Sequence, residues 1–406
     1  MKTSAISVRV ALGVVSALAL SYPATAADWE MNPTVEAGYL FDDNYRLSQP
    51  GNEIEVQGPV ADAELEFRAR NPAGEFSFAP RVRATYFPDE QELDTVDYFA
   101  LLYWLNQGQR LKTEIRGDFS QQDIVNSEQP DAEVPGAGTD VDLGEADFGD
   151  AGRVFVENRR TRGSVRPTFE YELSTRRSLE FGATATMVSF DREIPGAQVD
   201  YNSADVTAGL VTRITPVSSF TVRARGAQFD IDTTGDSTSY GAEMQWDTRS
   251  ATERRTFLRA GAQRVDFQDG DSATAWLAGA GVSMPVGRNQ LFFDLSRSVG
   301  PSSSGAVITR DQLRMRWSRD LTPRVALLAG VRGTHDEDVD DDSLFQPRSY
   351  ATGDIGLQWR WEEEFSLRVA YDYTWQEFDD TLLDQEAATS SGAMVSVLYQ
   401  PLNRRR

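Results

Sequence analysis

Between Gly353 and Phe378 the chain reads GDIGLQWRWEEEFSLRVAYDYTWQEF, and apolar and polar side chains take turns along it. Ile355, Leu357, Trp359 and Trp361 alternate with Asp354, Gly356, Gln358 and Arg360. Beyond a Glu-rich turn, Phe365, Leu367, Val369, Tyr371, Tyr373 and Trp375 alternate with Ser366, Arg368, Ala370, Asp372 and Thr374. Successive side chains of a strand point to opposite faces, so a period of two gives a hairpin with one aromatic and one charged face. Such a hairpin either hides its aromatic face inside a soluble sandwich or presents it to lipid as two membrane strands. The remainder of the chain decides between the two.

At the N-terminus, Lys2 and Arg9 precede an apolar run from Val10 to Leu20, and Pro23 leads into Ala24-Thr25-Ala26. A basic start, a short apolar run and a small-residue end mark a secretory signal peptide, with cleavage expected after Ala26. The run is too short to cross a bilayer as a helix. Residues 1–26 are therefore set aside as the signal, and 27–406 form the mature unit. Losing the two positive charges of Lys2 and Arg9 moves the formal net charge from −23 to −25. A chain this acidic repels the phosphates of nucleic acid, which is excluded as a partner. It has no cysteine, which rules out disulfides, thiolate metal sites, c-type haem attachment and cysteine nucleophiles.

Alternating segments recur almost to the C-terminus. Val35, Ala37, Tyr39 and Phe41 open the series. Ala63, Leu65, Phe67 and Ala69 follow, facing away from Asp62, Glu64, Glu66, Arg68 and Arg70. Phe76, Phe78, Val82, Ala84 and Tyr86 come next, then Tyr98, Ala100, Leu102 and Trp104. The pattern returns after residue 157 and runs to a last segment, Gly392–Tyr399, although the faces of Phe257–Phe267 are ambiguous. About 18 segments result, with about 16 the nearest alternative, each near the length of a tilted membrane strand.

The connections carry further information. Tight turns follow Ala69, Leu105, Leu173, Ile214, Asp247, Met284, Ser318 and Trp361. They alternate with longer polar loops near residues 42–58, 87–95, 121–157, 191–200, 230–237, 268–272, 299–306, 334–348 and 378–388. A sandwich gives no reason for one end to be tight and the other long, whereas an outer-membrane barrel does. The sequence thus predicts an all-β chain closed into a single antiparallel transmembrane β-barrel in the outer membrane of a Gram-negative cell. Its turns would be periplasmic and its long loops extracellular. The acidic loop at 121–157 is long enough to plug the lumen. Trp104, Trp246, Trp317 and Trp359 fall late in segments running toward the tight turns, where a periplasmic aromatic girdle belongs, and Trp375 falls at the opposite end. Pro80 and Pro167 interrupt strand patterns. A closed barrel has no free edge for a missing donor, so bulges or shifted strand ends are expected there.

A closure of this size leaves a lumen wide enough for water. The faces turned from lipid carry Arg68, Arg70, Arg81, Arg83, Arg116, Arg162, Arg166, Arg223, Arg225, Arg310, Arg314, Arg316, Arg360 and Arg368. The same faces carry Asp62, Glu64, Glu66, Glu114, Glu170, Glu172, Glu243, Asp354 and Asp372. Either the arginines form a basic stripe that draws anionic solutes or an acidic polymer through the pore, or they form carboxylate ladders that stiffen a wide wall. The doublets Arg81/Arg83, Arg223/Arg225 and Arg314/Arg316 have few acids on their own strands and are the best stripe candidates.

Catalytic signals are sparse. His335 is the single histidine, and a hydrolase would need a nucleophile or water beside it. The run around it offers Asp336, Asp338, Asp340 and Asp342 as a weak calcium candidate, but without the Gly and terminal Glu of a helix-loop-helix calcium loop. A solvated loop facing surface sugars is the plainer account. No phosphate-cradling glycine loop occurs, so no enzyme activity and no cofactor are expected.

Two stretches carry resemblances. Ser390, Gly392, Val395, Val397 and Tyr399 resemble the assembly signal on the last strand of bacterial outer-membrane barrels, except that Gln400–Arg406 continue past the terminal aromatic. Val35–Leu47, VEAGYLFDDNYRL, is similar to the opening of a family of outer-membrane β-barrel porins that occur with exopolysaccharide synthesis and export systems. The resemblance implies a pore, or help in exporting an exopolysaccharide, with no catalytic residues. It also implies lipid, lipopolysaccharide, the barrel-assembly machinery and polysaccharide-export components as partners. The other reading is a structural or adhesive barrel plugged by 121–157.

Overall fold

The computed structural model describes residues 27–125, 158–194, 198–232, 235–250, 253–339, 346–379 and 386–401. Their strands are β1 (Asp28–Asp42), β2 (Val56–Asn71), β3 (Gly74–Thr85), β4 (Thr95–Gln107), β5 (Leu111–Asp123) and β6 (Arg159–Ser174). Then come β7 (Arg177–Phe190), β8 (Tyr201–Thr215), β9 (Ser218–Ile231), β10 (Gly235–Arg249), β11 (Arg255–Phe267) and β12 (Ser272–Val286). The last are β13 (Asn289–Pro301), β14 (Val307–Thr322), β15 (Val325–Asp338), β16 (Arg348–Arg360), β17 (Phe365–Phe378) and β18 (Ala388–Tyr399). They form one 18-stranded sheet in which each strand pairs with its sequence neighbours. β1 closes the ring, since Val35 faces Ala63 of β2 on one side and Tyr399 of β18 on the other. The predicted closed antiparallel barrel is the observed one, at the larger of the two strand counts.

The alternation explains the wall. Leu258, Val206, Ile355 and Val369 stand on the outside, with Leu258 63% exposed. Trp246, Trp359, Tyr371 and Tyr373 are likewise exposed. A soluble sandwich would hide these side chains, and an apolar surface this extensive is stable only against hydrocarbon or a partner. With every described strand paired on both sides, the backbone has no edge to satisfy. This is the architecture of an outer-membrane barrel.

All tight turns lie at one end, called here the turn end, and the longer connections at the other, the loop end. Gly287, at φ 64°, makes the turn between β12 and β13 in a region where other residues are strained. Pro80 and Pro167 do not produce the expected bulges. Pro80 stays in register with Ala100, and Pro167 with Ile115, while on the other flank the ladder skips two pairs and resumes unshifted. A proline has no N–H to give to a ladder, which accounts for the skipped pairs on that flank. The register shifts occur instead at Glu172/Ser174, Arg213/Thr215 and Asp320/Thr322, where strands meet tight turns.

Several loops are shorter than expected. β9 runs to Ile231 and β10 begins at Gly235, β13 reaches Pro301, and β15 continues to Asp338. The wall rises past its apolar belt, where both faces are polar, so the sequence there looks like loop although it is strand. At the other margin, β1 starts at Asp28 and carries Trp29 and Met31 outward, ahead of the expected opening at Val35. The signal 1–26, the plug segment from 126 to 157 and the tail after 401 lie outside the described residues.

Candidate functional site

The lumen is built from the polar register of the alternation. Arg68 and Arg70 on β2, Arg81 and Arg83 on β3, and Arg116 on β5 point inward with Asp62, Glu64, Glu66 and Glu114. Arg162 and Arg166 on β6 and Arg223 and Arg225 on β9 share that face. So do Arg314 and Arg316 on β14, Arg360 on β16 and Arg368 on β17. Trp104, Trp246, Trp317 and Trp359 face outward near the turn end, and Trp375 faces outward near the loop end.

Most of these arginines reach a carboxylate on a neighbouring strand. Arg81 Nε donates to both oxygens of Asp62, at 2.9 and 2.8 Å. Arg223 bridges Glu180 at 2.8 Å and Glu243 at 3.0 Å. Arg225 meets Asp205 at 2.5 Å, Arg314 meets Asp294 at 3.2 Å, and Arg162 meets Asp118 at 2.6 Å. Arg70 holds Glu75 of β3 at 3.1 Å, whereas Arg116 and Arg68 hold acids of their own strands, Glu114 at 2.6 Å and Glu66 at 2.7 Å. Of the doublets singled out as least neutralised, both members of Arg223/Arg225 and one member each of the other two, Arg81 and Arg314, are therefore tied into a ladder. Their acids come from adjacent strands, and own-strand spacing carries no information about those.

Sequence reasoning missed Arg259 as a lumen residue, because the Ala- and Gly-rich β11 gives no contrast between faces. Its inward side is Phe257, Arg259, Gly261, Gln263 and Val265. Arg259 forms no ion pair among the described residues. Its guanidinium lies flat across Gly279, where an added Cβ would come within 3.2 Å of Nε and 3.0 Å of the Phe257 ring. Arg223 lies over Gly209 in the same manner, with Cγ 2.8 Å from such a Cβ. Glycines thus seat the arginines against the wall and keep the bore wide. Gly279→Ala is expected to lift Arg259 into the lumen and lower single-channel conductance, which a bilayer recording on the variant checks.

The loop-end half of the lumen is packed. Tyr45, Phe87, Leu93, Ile124, Val125 and Val199, all from connections, form one apolar cluster with inward residues such as Leu40, Phe190, Phe229 and Val265. Tyr45 meets the Phe87 ring edge-on at 5.1 Å. The 191–200 connection crosses to the 302–306 connection, where Val199 N–H donates to Ser303 O at 2.8 Å. Asn158 anchors that connection, donating to Gln198 Oε1 at 2.6 Å and to Arg192 O at 2.5 Å. The expected plug at 121–157 contributes Ile124 and Val125. The rest of the described closure comes from loops that their polar composition did not distinguish.

Two acids in the crossing connection give it a pH dependence. Desolvation, then repulsion from Asp200 and Asp232, raises the pKa of Glu193. Desolvation, with a smaller push from Asp232, raises that of Asp200 against the opposing Phe190 N–H bond. A raised carboxylate pKa means that the docked loop holds the neutral acid better than the charged one. Docking is favoured below the raised values and weakened as pH rises through them. Conductance is therefore expected to fall as pH drops from neutral toward about 4, the ordinary carboxylate range. Asp232→Asn should flatten that profile.

The run around His335 proves to be strand. Asp336 turns inward and binds Arg310 through two bonds of 2.5 and 2.6 Å, while His335 and Glu337 face outward. Asp338 shares the inward register of Asp336, and Asp340 and Asp342 lie outside the described residues. No metal-holding group occurs among the described residues. His335 contacts Ser349 at 2.8 Å and Glu337 at 3.2 Å. Ser349 is the second residue of β16 and pairs with His335 of β15 and Glu377 of β17.

No family model and no curated protein matches the chain. Among solved structures it is similar to the OccK2 (OpdF) protein of Pseudomonas aeruginosa in complex with glucuronate. That match has 11% identity and a TM-score of 0.46, over 92% of this chain and 99% of that one. OpdO of Pseudomonas aeruginosa is similar at 10% identity and a TM-score of 0.45, over 92% and 97%. The outer membrane channel DcaP of Acinetobacter baumannii is similar at 11% identity and a TM-score of 0.43, over 93% and 98%. Likeness at this level leaves the functional reading to the barrel's own residues.

Proposed function

We propose that the chain is an outer-membrane channel whose arginine-lined waist passes anionic solutes, with its turn end in the periplasm and its loop end outside. The observation that carries this is the pairing of an exposed aromatic exterior with an inward set of seated guanidinium groups, Arg259 among them with no ion pair among the described residues. Lipopolysaccharide around the loop end and the barrel-assembly machinery at the C-terminal strand are the partners this location supplies. Purified barrel in a planar bilayer should conduct, and its reversal potential in a salt gradient should favour anions. Arg259→Ser should shift that potential toward cations. A folded barrel that never conducts, with loops intact or trimmed, would overturn the reading.

Passage of an exported exopolysaccharide is the finer version, supported by the entrance motif Val35–Leu47. The packed loop end favours a second reading, a structural barrel that is permanently shut. Conductance after loop trimming separates the two.

A further inference from the structure

Below the packed mouth, β4 presents an unbroken run of non-ionic, largely apolar side chains to the lumen. Along β4, Phe99, Leu101, Tyr103 and Leu105 occupy consecutive inward positions. Their register partners on the flanking strands are lumen residues: Arg81 for Phe99, and Arg116 for Tyr103. Asp118 stands opposite Leu101. Leu101 is 54% exposed although it faces away from lipid. The register partners of the four are Arg81, Ala79, Ser77 and Glu75 on β3, polar except for Ala79, and Ser120, Asp118, Arg116 and Glu114 on β5. Four apolar residues facing water cost stability that polar ones would not. Local departures of this kind belong to functional surfaces.

The surroundings define the ligand. At ~3.3 Å per residue the strip is roughly 20 Å long, longer than one sugar ring. It begins just below the packed mouth and descends toward the turn end, so it is reached from the periplasmic side. Arg81 lies over the Phe99 ring at 5.2 Å, and Arg116 over Tyr103 at 5.7 Å. Beside them stand acceptors: Asp62, Glu114 and Asp118. A simple anion would use only the guanidinium groups, and a hydrocarbon would use neither. A flat apolar track edged by both donors and acceptors suits a chain of pyranose rings, whose C–H faces stack while their hydroxyls donate and accept. We infer that β4 is a saccharide-binding track that holds an oligosaccharide chain entering from the turn end. This rests on the channel reading and names the solute class for that lumen.

Calorimetry on the detergent-purified full barrel tests it, with maltohexaose and a hexamer of galacturonate as probes and polyethylene glycol of similar length as the control. Binding of either sugar chain is expected, with none of the polymer control. The double variant Leu101→Ser/Tyr103→Ser should weaken binding about tenfold, while Leu101→Trp, which enlarges the platform, should tighten it. Heat-modifiable gel mobility confirms that each variant is folded. If neither sugar binds, if polyethylene glycol binds equally, or if the serine variant keeps full affinity, the track is wrong. Calorimetry needs no conduction: a barrel that binds sugar without conducting keeps the track and loses the channel, and one that conducts without binding does the reverse.

Discussion

Asp336→Ala should destabilise the barrel by about 3–5 kcal/mol, the cost of leaving a buried charge without its partner. Arg310 and Asp336 are only 2% and 4% exposed at their side chains, and they sit opposite each other on β14 and β15. Two parallel bonds of 2.5 and 2.6 Å fix the guanidinium against the carboxylate. Their mutual attraction offsets the desolvation of both ions only while both are present. Removing the acid alone leaves the cation at the packed loop end, out of reach of bulk water. Replacing both partners, as Arg310→Met/Asp336→Leu, should recover much of the loss, because no charge is then stranded. Urea titration followed by the gel shift of the folded barrel measures this. An Asp336→Ala barrel within about 1 kcal/mol of the parent would mean the pair contributes no more than a surface bridge.

That pair also shows where sequence reading stops. The barrel itself was legible, because a period of two repeated along the chain is a direct record of two unlike solvents on the two faces of a strand. The contrast between tight turns at one end and longer connections at the other was legible too, from the turn residues themselves. What depends on neighbours across the ladder was not legible. Asp336 looked like one acid of a loop run, but strand register places it against Arg310. Arg225 looked unneutralised until β8 brought Asp205 to 2.5 Å. Arg259 was hidden in an Ala- and Gly-rich strand whose faces differ too little to assign. The apolar inner face of β4 was present in the letters, FALLYWL, yet it is a break in alternation. It acquires meaning only once Leu101 is seen to stand in the lumen.

Replacing residues 192–199 with two glycines should raise single-channel conductance severalfold. This connection spans the loop end, and its contacts are few and specific: Val199 N–H to Ser303 O at 2.8 Å, and Gln198 Oε1 to Asn158 Nδ2 at 2.6 Å. Val199 and Gln198 are fully buried, so the crossing excludes water as well as bridging the mouth. Cutting it out removes one wall of the apolar cluster that Tyr45, Phe87 and Ile124 also build, and water can then enter from that side. The barrel itself should remain intact, because β7 and β8 keep their ladder from Val188 and Tyr201 downward. Asn158→Ala offers a gentler version: it removes the donor to Gln198 and Arg192 without shortening the chain, and should raise the frequency of brief openings more than their size. If the trimmed barrel is folded and its conductance is unchanged, the crossing is not the closure, and flow is limited lower down, at the arginine waist.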